Sequence, residues 1–564
     1  MNDPGISTTR ESPRWLIPGV IGLALLPVIY VTTRSFLAMR NVAYWDEIET
    51  VLDFLLKLKA SPTWQDGFAQ IFSTGNEHRT ATSRLLFAVS LWLTGGVNFV
   101  VIGVIGNLCL FGVAAVLIAT AGTAARRLQI GVLSAALFFQ LQHFENFFWS
   151  GSSIDHFQVV TLATISFAAL AHGTRGGVRL AGLAGLLATF TLAHGLLVWP
   201  VGFLSLAFAR RRQDLLVWSG LAAVTVGGFL AGYHFNSGHA IGDLSAAGIG
   251  RIAHYWLAVL GAPLAMGNAT VAPALGLALL VMLGTQLRPA VIAREGVALP
   301  LALWAVGAAL LLAIGRVDVV GGHVHSRYYV LGSLAWLLVG FIQLNAHPPS
   351  AQPDRGLLRL LPALAVFNLA ANLTSAHDAQ SWVTCRDAAA HFFQVYGRDG
   401  AGPFNLHPSP LYTGHITRLA EEAGIFRMPE SCREQKFKDT RTVGTIAYFV
   451  DRIPVTDTLV SIEGWAAYAG RAAKPGQVHV VLQSTKTRRI YTTTLWERAD
   501  LVAAFPQEKW RDAGFRFQLR RWSLPKENFQ IGLLITTEHG AEFTLTAHHL
   551  DLTGKGEGIL GEGH

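Results

Sequence analysis

Residues 97–120 read VNFVVIGVIGNLCLFGVAAVLIAT, an apolar run without a single acidic or basic side chain. About 20 consecutive apolar residues are enough for a helix to cross the hydrocarbon core of a bilayer. Arg126 and Arg127 follow the run, where the positive-inside rule expects the cytoplasmic end of a span. The run therefore predicts a transmembrane helix and indicates an α-helical membrane protein.

The composition of the whole chain agrees with this prediction. Of 564 residues, 51% are hydrophobic and only 14% are charged, whereas a soluble domain carries about a quarter charged residues. The formal net charge of +8 does not indicate nucleic-acid binding, because many arginines fall in short loops between apolar runs. Asp, Glu, Lys and Arg become frequent only after about residue 376. We expect a membrane body followed by a water-exposed part.

Other apolar runs lie on both sides of residues 97–120, and most are followed or preceded by arginines. They cover residues 15–33, 129–144, 157–172, 179–195, 196–209, 215–234, 269–287, 297–315, 328–344 and 357–374. The pattern predicts a polytopic domain over residues 1–375 with about eleven transmembrane helices. Arg10 and Arg14 place the N-terminus in the cytoplasm, so the C-terminal part is expected in the periplasm of a bacterial inner membrane. Residues 34–96 and 235–268 are predicted outer loops, the first with two interfacial helices.

The part after residue 375 divides again by pattern. Residues 376–440 are predicted to be a helical connector, and residues 441–564 alternate apolar and polar side chains between turns, as in Phe515 to Arg520. This period of two predicts an antiparallel β-sandwich of roughly 110 residues, for which carbohydrate binding is considered. Cys385 and Cys432 both fall in the predicted periplasmic part, so we expect a disulfide between them.

The first outer loop carries two dense groups of ionisable residues, Tyr44-Trp45-Asp46-Glu47-Ile48-Glu49 and Asn76-Glu77-His78-Arg79. A charge at the hydrocarbon boundary costs several kcal/mol unless it is hydrated, paired with an opposite charge or engaged with a substrate. Asp46 with Glu49 could simply form a capping box for a helix that begins at Ile48. Glu77-His78-Arg79 could be a solvated loop with an internal ion pair. Both structural interpretations remain open alongside a catalytic or binding role for these residues.

Two later outer loops also carry charge beside aromatic residues. Glu145 lies in the stretch Phe144-Glu145-Asn146-Phe147-Phe148-Trp149, and Arg316 and His323 to Tyr329 precede the tenth predicted span. Arginine and tyrosine are common anchors at the headgroup layer, so this arrangement has an ordinary explanation. The alternating His323, His325 and Arg327 contain no carboxylate, and no secure metal site is predicted, although a divalent cation is considered.

The combination of these loops resembles the GT-C type of integral-membrane glycosyltransferases, which use polyprenyl-phosphate sugars. The resemblance covers residues 15–375 and rests on Asp46-Glu47 after the first span, with His78-Arg79 and Ser326-Arg327-Tyr328 similar to elements of bacterial cell-surface polysaccharide members. It implies transfer of a sugar, with inversion, from a polyprenyl-phosphate donor to a glycan or glycolipid acceptor.

The resemblance and the chemistry of the residues together assign expected roles. The expected catalytic carboxylates are Asp46, as general base, and Glu47. The expected acceptor or substrate contacts are Trp45, Glu77 and Glu145. The expected donor phosphate contacts are His78, Arg79, Arg316, Arg327 and Tyr328.

Two other interpretations remain beside the transferase. A polymerase or ligase of lipid-linked glycans would use the same outer-face arginines. A transporter or a sugar-binding scaffold would use no such chemistry, but a transporter should carry ionisable residues or broken helices at the midplane and usually internal repeats. In this sequence the ionisable residues cluster at one predicted face.

Overall fold

The computed structural model describes residues 16–75, 79–233, 245–288, 296–318, 323–346, 355–396, 405–428, 440–442, 446–457, 459–468, 478–506, 510–521, 524–537 and 540–553. The chain forms two compact units. The first is made of Met1–Asn41 and Glu49–Gln380, and the second of Val42–Ile48 and Ser381–His564. The segment Val42–Ile48, predicted within the membrane domain, thus belongs to the C-terminal unit.

The first unit is built from α-helices. Their bounds are α1 Leu16–Ala38, α2 Phe54–Lys59, α3 Trp64–Ile71, α4 Ala81–Thr94, α5 Phe99–Thr120, α6 Ala124–Phe138, α7 Phe144–Phe148, α8 Ser150–Ala171, α9 Arg175–Thr189, α10 Val198–Phe208, α11 Arg212–Leu230, α12 Ala246–Ala265, α13 Ala272–Gln286, α14 Ala298–Arg316, α15 Tyr329–Ala346 and α16 Arg355–Tyr396. The boundary between the units falls inside α16. Short 3-10 turns lie at Leu141–His143, Ala193–Leu197 and Ser326–Tyr328.

Several of these helices begin at polar side chains that cap them. The Asn98 side chain accepts hydrogen bonds from the N–H groups of Val100 and Val101, and Thr123, Thr174 and Ser245 make the equivalent bond to the third residue that follows each of them. Such bonds satisfy backbone N–H groups that have no partner within the helix. α4 ends at Gly95, whose φ of 71° lies in the left-handed region that glycine adopts without a steric cost.

Seven of the described helices are long and apolar enough to cross a membrane, and they indicate a membrane-embedded protein. They are Ile17–Ala38, Phe99–Thr120, Ser150–Ala171, Arg212–Leu230, Ala298–Arg316, Ser326–Ala346 and Leu360–Asp387. The predicted number of eleven spans is not confirmed. The other four predicted runs fold as α6, α9, α10 and α13, with 11 to 15 residues each. A 15-residue helix is only about 22 Å long, short of a hydrocarbon core of about 30 Å.

The prediction of a loop over residues 235–268 was wrong for its second half. The 20-residue helix α12 lies there and pairs closely with α13 as a helical hairpin. A Cβ at Gly261 would collide with the carbonyl oxygen of Ala272, and one at Gly276 with that of Leu257. The two glycines therefore permit a backbone approach that hydropathy alone does not reveal.

The helix predicted from Ile48 is present in modified form, as a π-helix at Ile48–Asp53 followed by α2. The C-terminal connector also differs from its prediction. α16 continues without a break from the last apolar run through residue 376 to Tyr396, so one helix crosses the predicted start of the connector. A second helix, α17 Pro410–Glu422, lies within the predicted helical connector.

The C-terminal part of the second unit contains two β-sheets and a short helix, α18 Ala499–Ala504. The strands are β1 Thr440–Thr442, β2 Ile446–Arg452, β3 Leu459–Tyr468, β4 Val478–Gln483, β5 Arg488–Thr492, β6 Thr494–Trp496, β7 Gly514–Arg520, β8 Asn528–Thr537 and β9 Gly540–Asp551. One sheet has the order β1-β9-β8-β4-β5 and the other β2-β3-β7-β6.

The strand pairing agrees in large part with the predicted antiparallel pattern. Strand β1 pairs parallel with β9, while the other described strand pairs are antiparallel. Alternate residues of both sheets, such as Ile462 and Phe517 from one and Val480 and Ile531 from the other, belong to one buried cluster. The period of two in the sequence thus reflects a core shared by two sheets.

Candidate functional site

The backbone leaves regular helix between α6 and α8, and the short helix α7 lies in this break. Oδ1 of Asn372 accepts a hydrogen bond from the N–H of Leu141 at 2.8 Å, and Nδ2 of Asn368 donates to the carbonyl of Phe139 at 3.0 Å. Irregular backbone in a membrane protein is tolerated where protein groups satisfy it. The two asparagines of α16 therefore fix the start of the break.

The end of α7 is held in the same way by other helices. The carbonyl of Phe147 accepts hydrogen bonds from Oγ of Ser35 at 2.7 Å and from Nδ2 of Asn107 at 3.2 Å. Oγ of Ser153 donates in turn to Oδ1 of Asn107 at 2.9 Å. Side chains from α1, α5, α8 and α16 thus anchor the segment that carries Glu145.

Glu145 is the centre of a polar cluster with residues 325–327. Its Oε2 accepts hydrogen bonds from Oγ of Ser326 and from the N–H of Arg327, both at 3.0 Å. Its own N–H donates to Oγ of Ser326 at 3.1 Å. Oε1 lies 3.7 Å from Nδ1 of His325. The structure thus brings together Glu145, Arg327 and Tyr328, three residues that the sequence selects separately.

The charge of Glu145 is strongly stabilised. Burial of the side chain, which is 12% exposed, raises its pKa. The neighbouring His325 side chain and the positive charge of Arg327 outweigh burial, and they lower the pKa of Glu145 to about 2. A carboxylate with this pKa stays ionised at any physiological pH, so it suits a fixed negative charge better than a proton acceptor.

Arg327 is held between aromatic rings. Its guanidinium carbon lies 5.4 Å from the ring centre of Trp149 and 5.1 Å from that of Tyr328. Its carbonyl accepts a hydrogen bond from Nδ2 of Asn146 at 2.8 Å, and Oδ1 of Asn146 accepts one from Ser152 at 2.6 Å. Both the backbone and the guanidinium of Arg327 are therefore positioned by neighbours, while the side chain stays only half-buried.

Histidines surround this cluster on two sides. The His323 and His325 ring centres are 5.8 Å apart, and His156 lies 5.8 Å from the ring centre of Tyr328. Nδ1 of His156 lies 3.1 Å from the carbonyl of Ser152. Within the described part of the chain, no group of three or more His, Cys, Asp or Glu residues is arranged to hold a metal ion.

A cavity of about 520 Å³ opens between the first half of α12 and the end of α14. Its lining residues are Ala247, Gly250, Arg251, His254, Tyr255, Val317 and Asp318. Nη2 of Arg251 lies 3.3 Å from Oδ1 of Asp318 at its edge. The hydroxyl of Tyr255 donates to the carbonyl of His323 at 3.3 Å. Arg316, the last residue of α14 and half-buried, precedes Val317 in this wall.

The predicted catalytic residues belong to the second unit, on the segment Val42–Ile48. Glu47 is 1% exposed, and its Oε2 accepts a hydrogen bond from the N–H of Tyr44 at 2.9 Å. This bond is the return half of a capping box, which the sequence assigned to Asp46 and Glu49. Asp46 itself is exposed. The two adjacent acids therefore differ: Glu47 is buried and accepts a backbone hydrogen bond, whereas Asp46 is exposed.

Trp45 has an unusual backbone conformation for a bulky residue. Its φ is 50°, in the left-handed region, which costs a non-glycine residue about 1 to 2 kcal/mol. The N–H of Trp45 donates to the carbonyl of Leu406 at 2.6 Å, and the Tyr44 ring lies 5.3 Å from that of Trp382. These contacts hold the bend and leave the Trp45 side chain 38% exposed.

Arg79, a predicted phosphate contact, has a structural set of partners. Its guanidinium donates to the carbonyls of Gly228 at 3.1 Å and Ala231 at 2.6 Å, at the C-terminus of α11. It also lies 5.9 Å from the ring centres of Phe229 and Tyr233. Burial lowers the pKa of Arg79. A cation that binds the last carbonyls of a helix stabilises that helix, and phosphate binding by Arg79 stays a prediction.

Three predicted residues, Glu77, His78 and Cys432, lie outside the described residues. Cys385 is an exposed free cysteine. The predicted disulfide is therefore not found, because one of its two sulfurs is present as a thiol and the other is not described.

The sequence assigned no site role to Ser326, which it contained only as part of the Ser326-Arg327-Tyr328 element, and none to Asn146 or the lining of the cavity. Ser326 stands next to Arg327, and Asn146 next to Glu145, so each was adjacent to a selected residue. Their pairing joins positions 181 residues apart, which no local pattern contains. Arg251 and Tyr255 were missed because the stretch was expected to be a loop.

Comparison of the chain with protein-family models, with curated proteins and with solved structures gave no match.

Proposed function

We propose that this protein is an inverting membrane glycosyltransferase that takes its sugar from a polyprenyl-phosphate donor. The observation that carries the proposal is the positioned arginine Arg327, whose guanidinium lies between Trp149 and Tyr328 and whose backbone N–H donates to the carboxylate of Glu145. An arginine fork binds phosphate with two parallel hydrogen bonds and keeps its charge. Its place in a unit of apolar helices suits a phosphate that a lipid carries.

The reaction needs one displacement. The acceptor hydroxyl oxygen bonds to the anomeric carbon, the bond from that carbon to the phosphate oxygen breaks, and the phosphate leaves with the electron pair. The hydroxyl proton passes to a general base. Arg327 acts on the leaving phosphate, whose negative charge grows as the bond breaks. A single displacement inverts the anomeric configuration.

Glu145 is assigned as a positioning residue within this proposal. Its carboxylate binds the N–H of Arg327 and the hydroxyl of Ser326, so it fixes the backbone from which the guanidinium extends. The low pKa of Glu145 makes it a poor proton acceptor. We therefore keep Asp46, which is exposed, as the predicted base.

The cavity beside α12 is assigned to the glycosyl group of the donor. Arg251, His254 and Asp318 offer donors and acceptors to sugar hydroxyls, and Tyr255 connects this wall to the segment of Arg327 through the His323 carbonyl. Arg316 is proposed as a second contact to the phosphate. An eleven-span topology with the C-terminal part, including a β-sandwich, in the periplasm of a bacterial inner membrane belongs to the same proposal.

The test is sugar transfer by purified protein in liposomes that contain polyprenyl-phosphate mannose or polyprenyl-phosphate glucose, with a cell-envelope glycan extract as acceptor. Arg327→Lys keeps the charge but loses the fork, and we expect it to raise the donor KM about tenfold or more. The matched control is Arg175→Lys, at an exposed arginine at the start of α9, which should behave as wild type. Absence of transfer from both donors, or a wild-type KM for Arg327→Lys, would contradict the proposal.

A further inference from the structure

The outer face of the sheet β2-β3-β7-β6 carries a cluster of aromatic side chains, here named the aromatic face: Phe449, Trp465, Phe505 and Trp510. The Trp465 and Trp510 rings stack with centres 5.2 Å apart, and Phe505 lies 5.0 Å from Trp510. Phe449 on β2 pairs directly with Trp465 on β3, so the two share one face. The cluster is therefore continuous over two strands and the loop after α18.

These side chains are not part of the core between the sheets. Their strand neighbours, Val450 and Ala466, are buried in that core, which puts Phe449 and Trp465 on the opposite face. Phe449 is 59% exposed and Phe505 is 41% exposed. Exposed aromatic residues that adjoin in one cluster form an apolar surface patch, and such patches mark binding sites.

The buried part of the aromatic face contains an unsatisfied donor. Trp510 is 6% exposed, and its Nε1 has no hydrogen-bond partner within the described part of the chain. Buried polar atoms nearly always have a partner, and one without a partner calls for an explanation. This atom is closed off from solvent, and Trp510 packs with Ala467, Leu501 and Ala513, so Trp510 forms the rigid floor beneath the exposed rings.

Charged groups beside the aromatic face are paired and balanced. Glu463 binds Arg452 and Arg516, each at 2.8 Å. Arg498 binds Asp451 and Asp500, each at 2.6 Å. Glu463 is two residues from Trp465, and Arg452 pairs with Glu463 across a bulge at residue 451, so Glu463 and Arg452 share the outer face. The charges of these three arginines and three carboxylates sum to zero.

We propose that the aromatic face binds a neutral glycan chain. The apolar faces of sugar rings stack on Phe449 and Phe505, and their hydroxyls bond with the exposed guanidinium of Arg452 and the exposed carboxylate of Asp500, which Glu463 and Arg498 orient. Zero net charge fits a neutral polar ligand and gives no attraction to an anionic membrane or a nucleic acid. Six charged groups around a few exposed rings also make insertion into lipid costly. This inference does not depend on the transferase proposal, because binding needs no turnover.

The test uses the full chain in detergent and isothermal titration calorimetry with four neutral oligosaccharides: cellohexaose, maltohexaose, mannohexaose and laminarihexaose. We expect at least one to bind. Phe449→Ala and Phe505→Ala should each weaken its Kd about threefold to tenfold, the size of one aromatic contact. Phe449→Tyr keeps a ring and should bind as wild type, which separates lost stacking from misfolding.

The matched control is Leu411→Ala, at an 86% exposed apolar residue of α17, which should leave Kd unchanged. Oligogalacturonate and anionic phosphatidylglycerol vesicles serve as charged probes. Failure of all four neutral hexamers to bind would overturn the inference. So would equal Kd values for wild type and both alanine variants, or binding only to the charged probes or to a protein partner.

Discussion

Glu145 on α7 and Asp46 on the segment Val42–Ile48 are both acidic residues beside a tryptophan, but their surroundings differ. Glu145 is 12% exposed and binds Ser326, Arg327 and His325. Asp46 is exposed, and the buried acid of its segment is the neighbouring Glu47. A carboxylate that several donors hold serves as a fixed charge. An exposed carboxylate can be reached by an acceptor hydroxyl, as a general base must be.

From this comparison we expect the largest loss of stability on substitution of Glu145. Glu145→Ala removes one partner from a largely buried charge cluster, and we expect the free energy of unfolding to fall by about 3 to 5 kcal/mol. Denaturant titration of the detergent-solubilised protein measures this change. Glu422→Ala, in the exposed pair with Arg418, is the control and should cost no more than about 1 kcal/mol. Equal losses in both variants would remove the distinction between held and exposed carboxylates.

The same cluster predicts a pH dependence with a definite sign. The pKa of Glu145 is about 2 in the folded protein, below its ordinary value of 4.5. The folded state therefore gains stability from this group above pH 4.5, and it loses that stability as the pH falls toward 2. Melting temperatures measured from pH 7 to pH 3 should fall more steeply for wild type than for Glu145→Gln. Parallel curves of melting temperature against pH would show that Glu145 is not responsible for the pH dependence of stability.

A smaller effect is expected at Glu47. Glu47→Ala removes the acceptor for the N–H of Tyr44, and loss of such a cap costs about 1 to 2 kcal/mol. Glu47→Gln keeps an acceptor oxygen and should lose less than half of that amount. Thermal unfolding of the two variants, measured in parallel, gives the loss of stability in each. A Gln variant as unstable as the Ala variant would mean that the charge of Glu47, and not the cap, matters.

The sequence predicted the parts of this structure that depend on local pattern. Continuous apolar runs marked the helices, and the alternation around Phe515 and Phe517 marked the strands. The sequence-based predictions failed where packing between distant segments determines the local structure. The run over residues 129–144 breaks after Phe138, because Asn368 and Asn372 supply partners for irregular backbone more than 200 residues away. The hairpin of α12 and α13 depends on two glycines in contact, which hydropathy does not record.

The candidate site shows the same division between local and distant signals. Glu145, Arg327 and Tyr328 were selected because charge and aromatic residues adjoin in apolar surroundings. Their mutual contact was not predictable, since no sequence pattern links position 145 to position 327. Glu47 and Arg79 were selected by the same rule. Their carboxylate and guanidinium bind backbone groups, so an ionisable residue near a span can be structural as well as functional.

The most direct test of the account is the turnover number of Asp46→Asn in sugar transfer from a polyprenyl-phosphate sugar. Asp46 is exposed and Asn has nearly the same shape as Asp, so stability should stay within about 0.5 kcal/mol of wild type. Loss of the base should lower kcat about 10²- to 10⁴-fold, because that is the usual contribution of a general base. The donor KM should not change, in contrast to Arg327→Lys. An Asp46→Asn protein with wild-type kcat would contradict the assignment of Asp46 as the base.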